Sequence, residues 1–380
     1  MRLLLLYKTS PESPNYKTPS SFGVQGEVLA RGLRELGVDA RSVDRRDSEG
    51  KEVAYNEFKP DFVVGVGYWG DVPEIVIHPK QHGQTPVPWI VSDGAVLDYQ
   101  QELNKLKLVL ATSNWVMEVL TRDGVTSPIK VVYEGVDTNV FKPLLKDNPD
   151  VKKFRERFGI GEDSLFILTV GGDGKSKGFQ EVVLALKQLE DKFTNWRYIV
   201  KVAGSPTGQK QTEEDMGLVR KLGLEEQVIF FSEMLNKQEQ AALFNAADIY
   251  AAPSRSEGFG RPLIEAQACG IPVLTVDGTS TREVVRHGVS GFSAKVAEKI
   301  YKNKFMVGDK EIELGEPKFV GVKADPADLA QYLSRLADSN LRRKMGEAGR
   351  AFVLENFDYR KTAGDMVEAI RTVSGLKKTS

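Results

Sequence analysis

Glu257 and Glu265, in Glu257-Gly-Phe-Gly-Arg-Pro-Leu-Ile-Glu265, flank a glycine-bounded turn that runs into a helix. Pro262 suits the start of a helix, where its missing N–H has no partner to lose, so the helix is expected to begin at about Arg261. Gly258 and Gly260 let the backbone approach a ligand closely, and the N-terminus of a helix favours a phosphate. Glu257 then lies before the helix and Glu265 about one turn inside it. Carboxylates accept paired hydrogen bonds from neighbouring hydroxyl groups, a common way of holding a ribose or hexose diol. A nucleoside diphosphate sugar carries an anion and two such diols. The plainer alternative is a solvated loop before an amphipathic helix, and the rest of the chain decides between them.

Such a site needs elements to hold it. The chain has 380 residues, more than one core usually supports, and 41% hydrophobic content is enough for two. Lys plus Arg number 52 and Asp plus Glu 53, so 52 − 53 = −1 and no global field attracts nucleic acid or an anionic membrane. Any anion must be bound locally. The single cysteine, Cys269, has no internal disulfide partner and fits a reducing compartment; Ala268-Cys269-Gly270 reads as small-residue packing at a helix end. The apolar run at the start stops at Lys8 with no small-residue cleavage site, and reads as a buried strand rather than a signal peptide. No apolar stretch is long enough for a membrane span, so a cytoplasmic protein is expected.

In the N-terminal half, strand 3–7 is followed by a Pro/Ser-rich loop and a helix ending at Gly37, with Val24, Val28, Leu29, Leu33 and Leu36 at helical spacing. Short apolar runs follow at 62–66, 89–91, 108–111 and 129–133. The second half starts afresh with strand 165–170, a loop 171–178, helix 179–189 and strands at 199–203, 228–231, 249–252 and 272–276. Continuous apolar strands alternating with helices predict parallel sheets covered on both faces, here twice over. The expected division is 1–145, 146–358 and a terminal helical segment 359–380, with 142–149 as linker. Two doubly wound domains of this kind bind ligands at the carboxyl ends of their strands, facing a central cleft. Residues 296–324 break the pattern with Lys/Glu alternation and read as a surface hairpin, and the tail 377–380 as frayed.

With both halves in view, the chain resembles the GT-B glycosyltransferases of family 4, retaining enzymes that use nucleotide sugars. The likeness runs from Met1 to about Arg371 and is densest from Ser113 to Gly291. Its best-matched pieces are Ser113-Asn-Trp, Gly135-Val-Asp-Thr-Asn-Val-Phe-Lys-Pro143, Lys177-Gly178, the Glu257 to Glu265 motif, Ala268-Cys-Gly-Ile-Pro-Val273, and Glu283 with Gly288 to Phe292. The resemblance implies two Rossmann-like α/β domains, an acceptor side in the first, a donor side in the second, and a C-terminal helix crossing back to the first. It implies that Lys177 contacts the donor diphosphate and Glu265 the ribose. Glu257, with the backbone of Gly258, Phe259 and Gly260, would hold the donor sugar, and Gly23 falls where the family has a glycine loop near the diphosphate.

Two positions depart from the pattern. Many relatives carry an arginine five residues before the lysine, and here that position is Gly172, leaving Lys175, Arg255 or Arg261 as replacement cations. A histidine often follows the third or fourth strand of the first domain, and here the matching residue is Asp93, a candidate for orienting a donor-sugar hydroxyl or the acceptor; the alternative is an ordinary turn aspartate before Gly94. Tyr68 and Trp69 follow the 62–66 strand, and their aromatic faces suit an acceptor sugar or the packing of the loop equally.

His78, His82 and His287 are read as too far apart in pattern to form a metal cluster, because Pro79 and Gly83 argue against a helix that would join the first two. With no Asp-x-Asp motif apparent, neither metal nor cofactor is expected, lysine and helix dipole standing in for the cation. The reading is therefore a hexosyl transfer from a nucleotide diphosphate sugar to an unknown acceptor hydroxyl with retained anomeric configuration. Glu257, Lys177 and Asp93 are its catalytic candidates, and the leaving phosphate takes the acceptor proton. The alternatives are a nucleotide-sugar 2-epimerase, or a nucleotide-sugar binding protein with weakened catalysis. Neither nucleic acid nor a transmembrane segment enters this reading.

Overall fold

A computed structural model describes residues 1–9, 21–171, 175–190, 195–202, 206–307 and 310–374. The chain divides into two compact units, Met1–Asp137 with Asn356–Ser380, and Thr138–Glu355. The boundary therefore falls earlier than 145/146. The stretch expected as linker is held inside the second unit, where Asn245 accepts from the Leu144 N–H at 2.8 Å and donates to the Lys142 carbonyl at 3.0 Å.

The first unit opens with β1 (Arg2–Tyr7), α1 (Ser21–Glu35), β2 (Asp39–Asp44), α2 (Ser48–Phe58) and β3 (Phe62–Gly67). After a short turn at Trp69–Asp71 and a π-turn at Pro73–Ile77 come α3 (His78–Gln81), β4 (Pro86–Ile90), α4 (Gln100–Leu103), β5 (Val109–Ala111), α5 (Asn114–Arg122) and β6 (Ile129–Val131). The sheet is parallel in the order β2-β1-β3-β4-β5-β6. The leucines of β1 are completely buried, as strands covered on both faces require.

The second unit follows with α6 (Pro149–Arg157), β7 (Leu165–Val170), α7 (Phe179–Lys187), β8 (Trp196–Lys201), α8 (Pro206–Leu222), β9 (Val228–Phe231) and α9 (Lys237–Ala246). It continues through β10 (Ile249–Ala251), α10 (Arg261–Ala268), β11 (Val273–Val276), α11 (Thr281–Val284) and β12 (Gly291–Ala294). Its sheet is also parallel, in the order β12-β11-β10-β7-β8-β9. The expected hairpin is present as β13 (Val296–Val307) and β14 (Lys310–Ala324), antiparallel to one another, followed by α12 (Pro326–Leu336) and α13 (Ser339–Asn356).

The last helix, α14 (Tyr359–Ser374), belongs to the first unit. It lies so close to α1 that a Cβ on Gly32 would sit 2.8 Å from the Tyr359 carbonyl. Met366 and Ile370 join Leu29 and Leu33 in one buried cluster, and the Tyr359 hydroxyl donates to Glu35 at 2.7 Å. The tail 377–380 lies outside the described residues.

Both sheets have a switch point, where strand order reverses and successive connections leave on opposite faces. In the first unit it lies between β1 and β3, and in the second between β7 and β10. Loops leaving the carboxyl ends of those strands are the places such folds reserve for ligands.

Candidate functional site

In the second unit the loops after β7 and β10 carry Lys177 and Glu257, and the structure brings them together. Lys177 Nζ donates to Glu257 Oε2 at 2.6 Å, with side-chain exposures of 16% and 15%. The stem of Lys177 lies over Gly171, where a Cβ would meet its Cγ at 2.4 Å. Gly178 begins α7 at φ +76°, and a Cβ there would be 2.3 Å from the Pro253 carbonyl. The two loops are thus locked in backbone contact, and the Arg255 N–H adds a hydrogen bond to the Ser176 carbonyl at 2.8 Å.

Gly260 caps α10 at φ +97°, a conformation that disfavours any residue with a Cβ, and Arg261 and Pro262 form its first two positions as expected. Gly258 and Phe259 are buried immediately before it. Glu265, one turn in, is 2% exposed; its Oε1 accepts from Arg261 Nε at 3.0 Å and its Oε2 from Gln240 Nε2 at 2.9 Å. Each carboxylate oxygen has two lone pairs, so these bonds leave acceptor capacity on both.

Three cations were candidates to replace the arginine missing at Gly172, which itself lies outside the described residues. Arg255 is committed to α7, donating to Glu181 Oε1 and Gln180 Oε1, each at 2.9 Å. Arg261 is committed to Glu265. Lys175 is exposed. The Arg255–Glu181 pair was not foreseen, because its halves lie far apart in sequence and only the fold joins them. The same holds for Ser280, whose hydroxyl donates to the Glu257 carbonyl at 2.8 Å.

Two neighbouring groups are inert. Burial, and secondarily the charge of Glu257, pushes the Tyr250 phenol well above its ordinary range, and its hydroxyl donates to the Val170 carbonyl at 3.1 Å. Burial likewise pushes the Cys269 thiol up, and its Sγ–H points to the Ala241 carbonyl at 3.9 Å, as expected of a packing residue.

In the first unit the switch point gathers Gly23, Tyr68 and their neighbours. Gly23 sits in the first turn of α1 rather than in a loop. The preceding Phe22 ring stacks on Tyr68, centroids 6.4 Å apart and 7° from parallel. Tyr68 is 39% exposed and Trp69 only 8%, so Tyr68 presents the aromatic face and Trp69 packs the loop. The turn is pinned by Asp71, whose Oδ2 accepts the Tyr68 N–H at 3.1 Å and whose Oδ1 pairs with buried Arg45 at 2.7 Å. Burial raises the Asp71 carboxyl against the pull of Arg45. Sequence alone carried no signal for this pair. Asp93 is exposed after the carboxyl end of β4, in a turn where Arg122 donates to the Gly94 carbonyl at 2.7 Å.

The histidines require a correction. His78 and His82 stack with ring centroids 4.4 Å apart, and Glu52 joins them in the one group of potential metal ligands found among the described residues. Pro79 is tolerated because it occupies an early helical position, where no donor is needed. Gly83, at φ +70°, is the stop signal: its N–H reaches the Lys80 carbonyl and the Gln84 N–H the Pro79 carbonyl, at 3.1 and 2.9 Å. The helix thus ends at Gln81 with His82 as its C-cap, and the two rings stay on one side. His287 lies elsewhere, in the second unit, edge-on to Phe292 and Tyr332.

The family model for glycosyl transferases group 1 matches residues 150–304. A D-inositol 3-phosphate glycosyltransferase of Catenulispora acidiphila is 30% identical over 56% of this chain and 50% of its own. The enzyme of that name from Mycobacterium bovis is 33% identical over 49% of this chain and 37% of its own. The chain thus spans half or less of the curated relatives it matches. Among solved structures, sucrose-phosphate synthase from Thermosynechococcus elongatus superposes with a TM-score of 0.75 at 17% identity, covering 99% of this chain and 100% of its own. Anabaena Alr3699/HepE, in complex with UDP and glucose, gives 0.72 at 18%, also covering 99% and 100%. At these identities the likeness carries the fold, which is GT-B. No helix among the described residues is long and apolar enough to cross a membrane.

Proposed function

We propose that this chain, a GT-B glycosyltransferase of the group 1 family, moves a hexose from a nucleotide diphosphate sugar to an acceptor hydroxyl, in the cytoplasm, with retention and without a metal. The observation that carries the reading is the Lys177–Glu257 pair, 2.6 Å apart at the switch point of the second sheet and in the same motif as the α10 N-terminus. In the reaction, the bond from the anomeric carbon to the diphosphate breaks and a bond to the acceptor oxygen forms on the same face. The acceptor proton passes to the departing phosphate. Negative charge grows on the diphosphate, and Lys177 with the positive end of α10 answers it without reorganising. On donor binding, Lys177 exchanges Glu257 for the phosphates, and Glu257 turns to the sugar hydroxyls. Glu265 accepts from the ribose with the lone pairs that Arg261 and Gln240 leave open. Asp93 and Tyr68 serve the acceptor side. Names of relatives that act in glycosyl transfer support the transferase over the 2-epimerase.

Calorimetric titration of UDP, GDP and ADP into metal-free protein tests the donor half. One nucleotide should bind with one site per chain, and Glu265→Ala should weaken it by roughly tenfold or more, the cost of losing a hydrogen bond to a charged group. Equal affinity in a Glu265→Ala protein that melts as a folded chain removes Glu265 from the ribose.

A further inference from the structure

Glu52, His78 and His82 are brought together from α2 and α3, one ligand atom from each lying within 4.8 Å of the other two. The two rings are prepared for one use. The Nδ1 of His82 faces the His78 carbonyl at 2.9 Å, and that of His78 faces the Tyr55 hydroxyl at 3.4 Å. A carbonyl only accepts, so Nδ1 of His82 carries the hydrogen and Nε2 keeps a lone pair. The Tyr55 hydroxyl can hold His78 in the same tautomer. Metal-binding histidines are oriented in this way, with the second ring nitrogen tied to an oxygen behind it. Glu52 Oε1 lies 3.4 Å from His82 Nε2. Two ligands bound to one tetrahedral zinc at ordinary bond lengths stand about 3.4 Å apart.

The helical run leading to His78 contains the π-turn Pro73–Ile77, closed by the His78 N–H reaching the Pro73 carbonyl, a feature that often marks functional positions.

We propose that Glu52, His78 and His82 form a binding site for a divalent transition ion of the zinc type, with water completing its coordination. Two imidazoles and a carboxylate suit zinc and not magnesium, which prefers oxygen ligands. The site lies on α2 and α3, outside the ligand-bearing loops. His82 is at the end of α3 that leads into the amino end of β4, whereas Tyr68 and Asp93 follow the carboxyl ends of β3 and β4. A metal here ties α2 to α3 and steadies the first unit without entering the transfer.

The test is calorimetric titration of zinc chloride into tag-free, chelator-stripped protein, with cobalt(II) absorption as a second readout. The parent should take one zinc per chain, show cobalt bands in the visible, melt higher with zinc, and ignore magnesium at the same concentration. The double variant His78→Ala/His82→Ala should lose saturable zinc binding and the cobalt bands. Glu52→Gln, a conservative change at an exposed position, should weaken zinc about tenfold or more, and decides the matter if the double variant fails to fold. A parent protein with no saturable zinc site, or variants that bind zinc as the parent does, would overturn the proposal.

Discussion

In the proposed reaction, Lys177 is the residue on which the chemistry turns. The family resemblance implies an arginine and a lysine at the diphosphate; here the arginine position is Gly172, and Arg255 and Arg261 pair with Glu181 and Glu265. The proposal gives Lys177, held over Gly171 and against Glu257, the larger share of that duty. Removing one preorganised charge-stabilising group costs on the order of 100-fold in rate. Turnover of Lys177→Ala at saturating donor should fall by about that factor, measured by release of the nucleoside diphosphate. A variant that turns over like the parent shows that the charge is supplied from another position.

At the scale of elements, the hairpin β13–β14 touches the loop that carries Arg255. The Val322 N–H donates to the Arg255 carbonyl at 2.7 Å, and a Cβ on Gly321 would lie 2.0 Å from the same oxygen. Gly321→Val therefore has to displace Arg255, and with it the 175–178 turn that Arg255 holds through Ser176, Gln180 and Glu181. Calorimetry should find nucleotide affinity weakened in Gly321→Val and unchanged in Gly315→Val, where nothing lies within 4 Å of the added Cβ. Equal effects from both would separate the hairpin from the site. The buried strands and the start of α10 were legible because burial on both faces writes continuous apolar runs and because Gly260 and Pro262 punctuate the helix. β2 was not, since it is an edge strand in which only Ala40 is fully buried. The start of β4 was hidden by Pro86 and Pro88. The Val91 N–H goes to Gly67 of β3, so by alternation those prolines face β5, whose pairing begins only at Trp89. The histidine pair was misread for a related reason: Pro79 and Gly83 were taken as breakers of the helix that they begin and end.

The whole molecule is two doubly wound units whose switch points each gather the residues singled out by the sequence: Lys177 and Glu257 in the second, Gly23 and Tyr68 in the first. What the sequence left open were the pairings made across the fold, such as Arg45 with Asp71, because ion pairs between distant segments leave no spacing to read. The central claim is transfer with retention and without a metal. Its most direct test is proton NMR of the parent protein incubated, in excess chelator, with the nucleotide sugar that binds and a panel of sugar, inositol phosphate and glycolipid acceptors. The account predicts free nucleoside diphosphate together with a new glycoside whose anomeric coupling matches that of the donor. A product of inverted configuration, an epimerised donor with no glycoside, or transfer that appears only when magnesium or manganese is restored would contradict it.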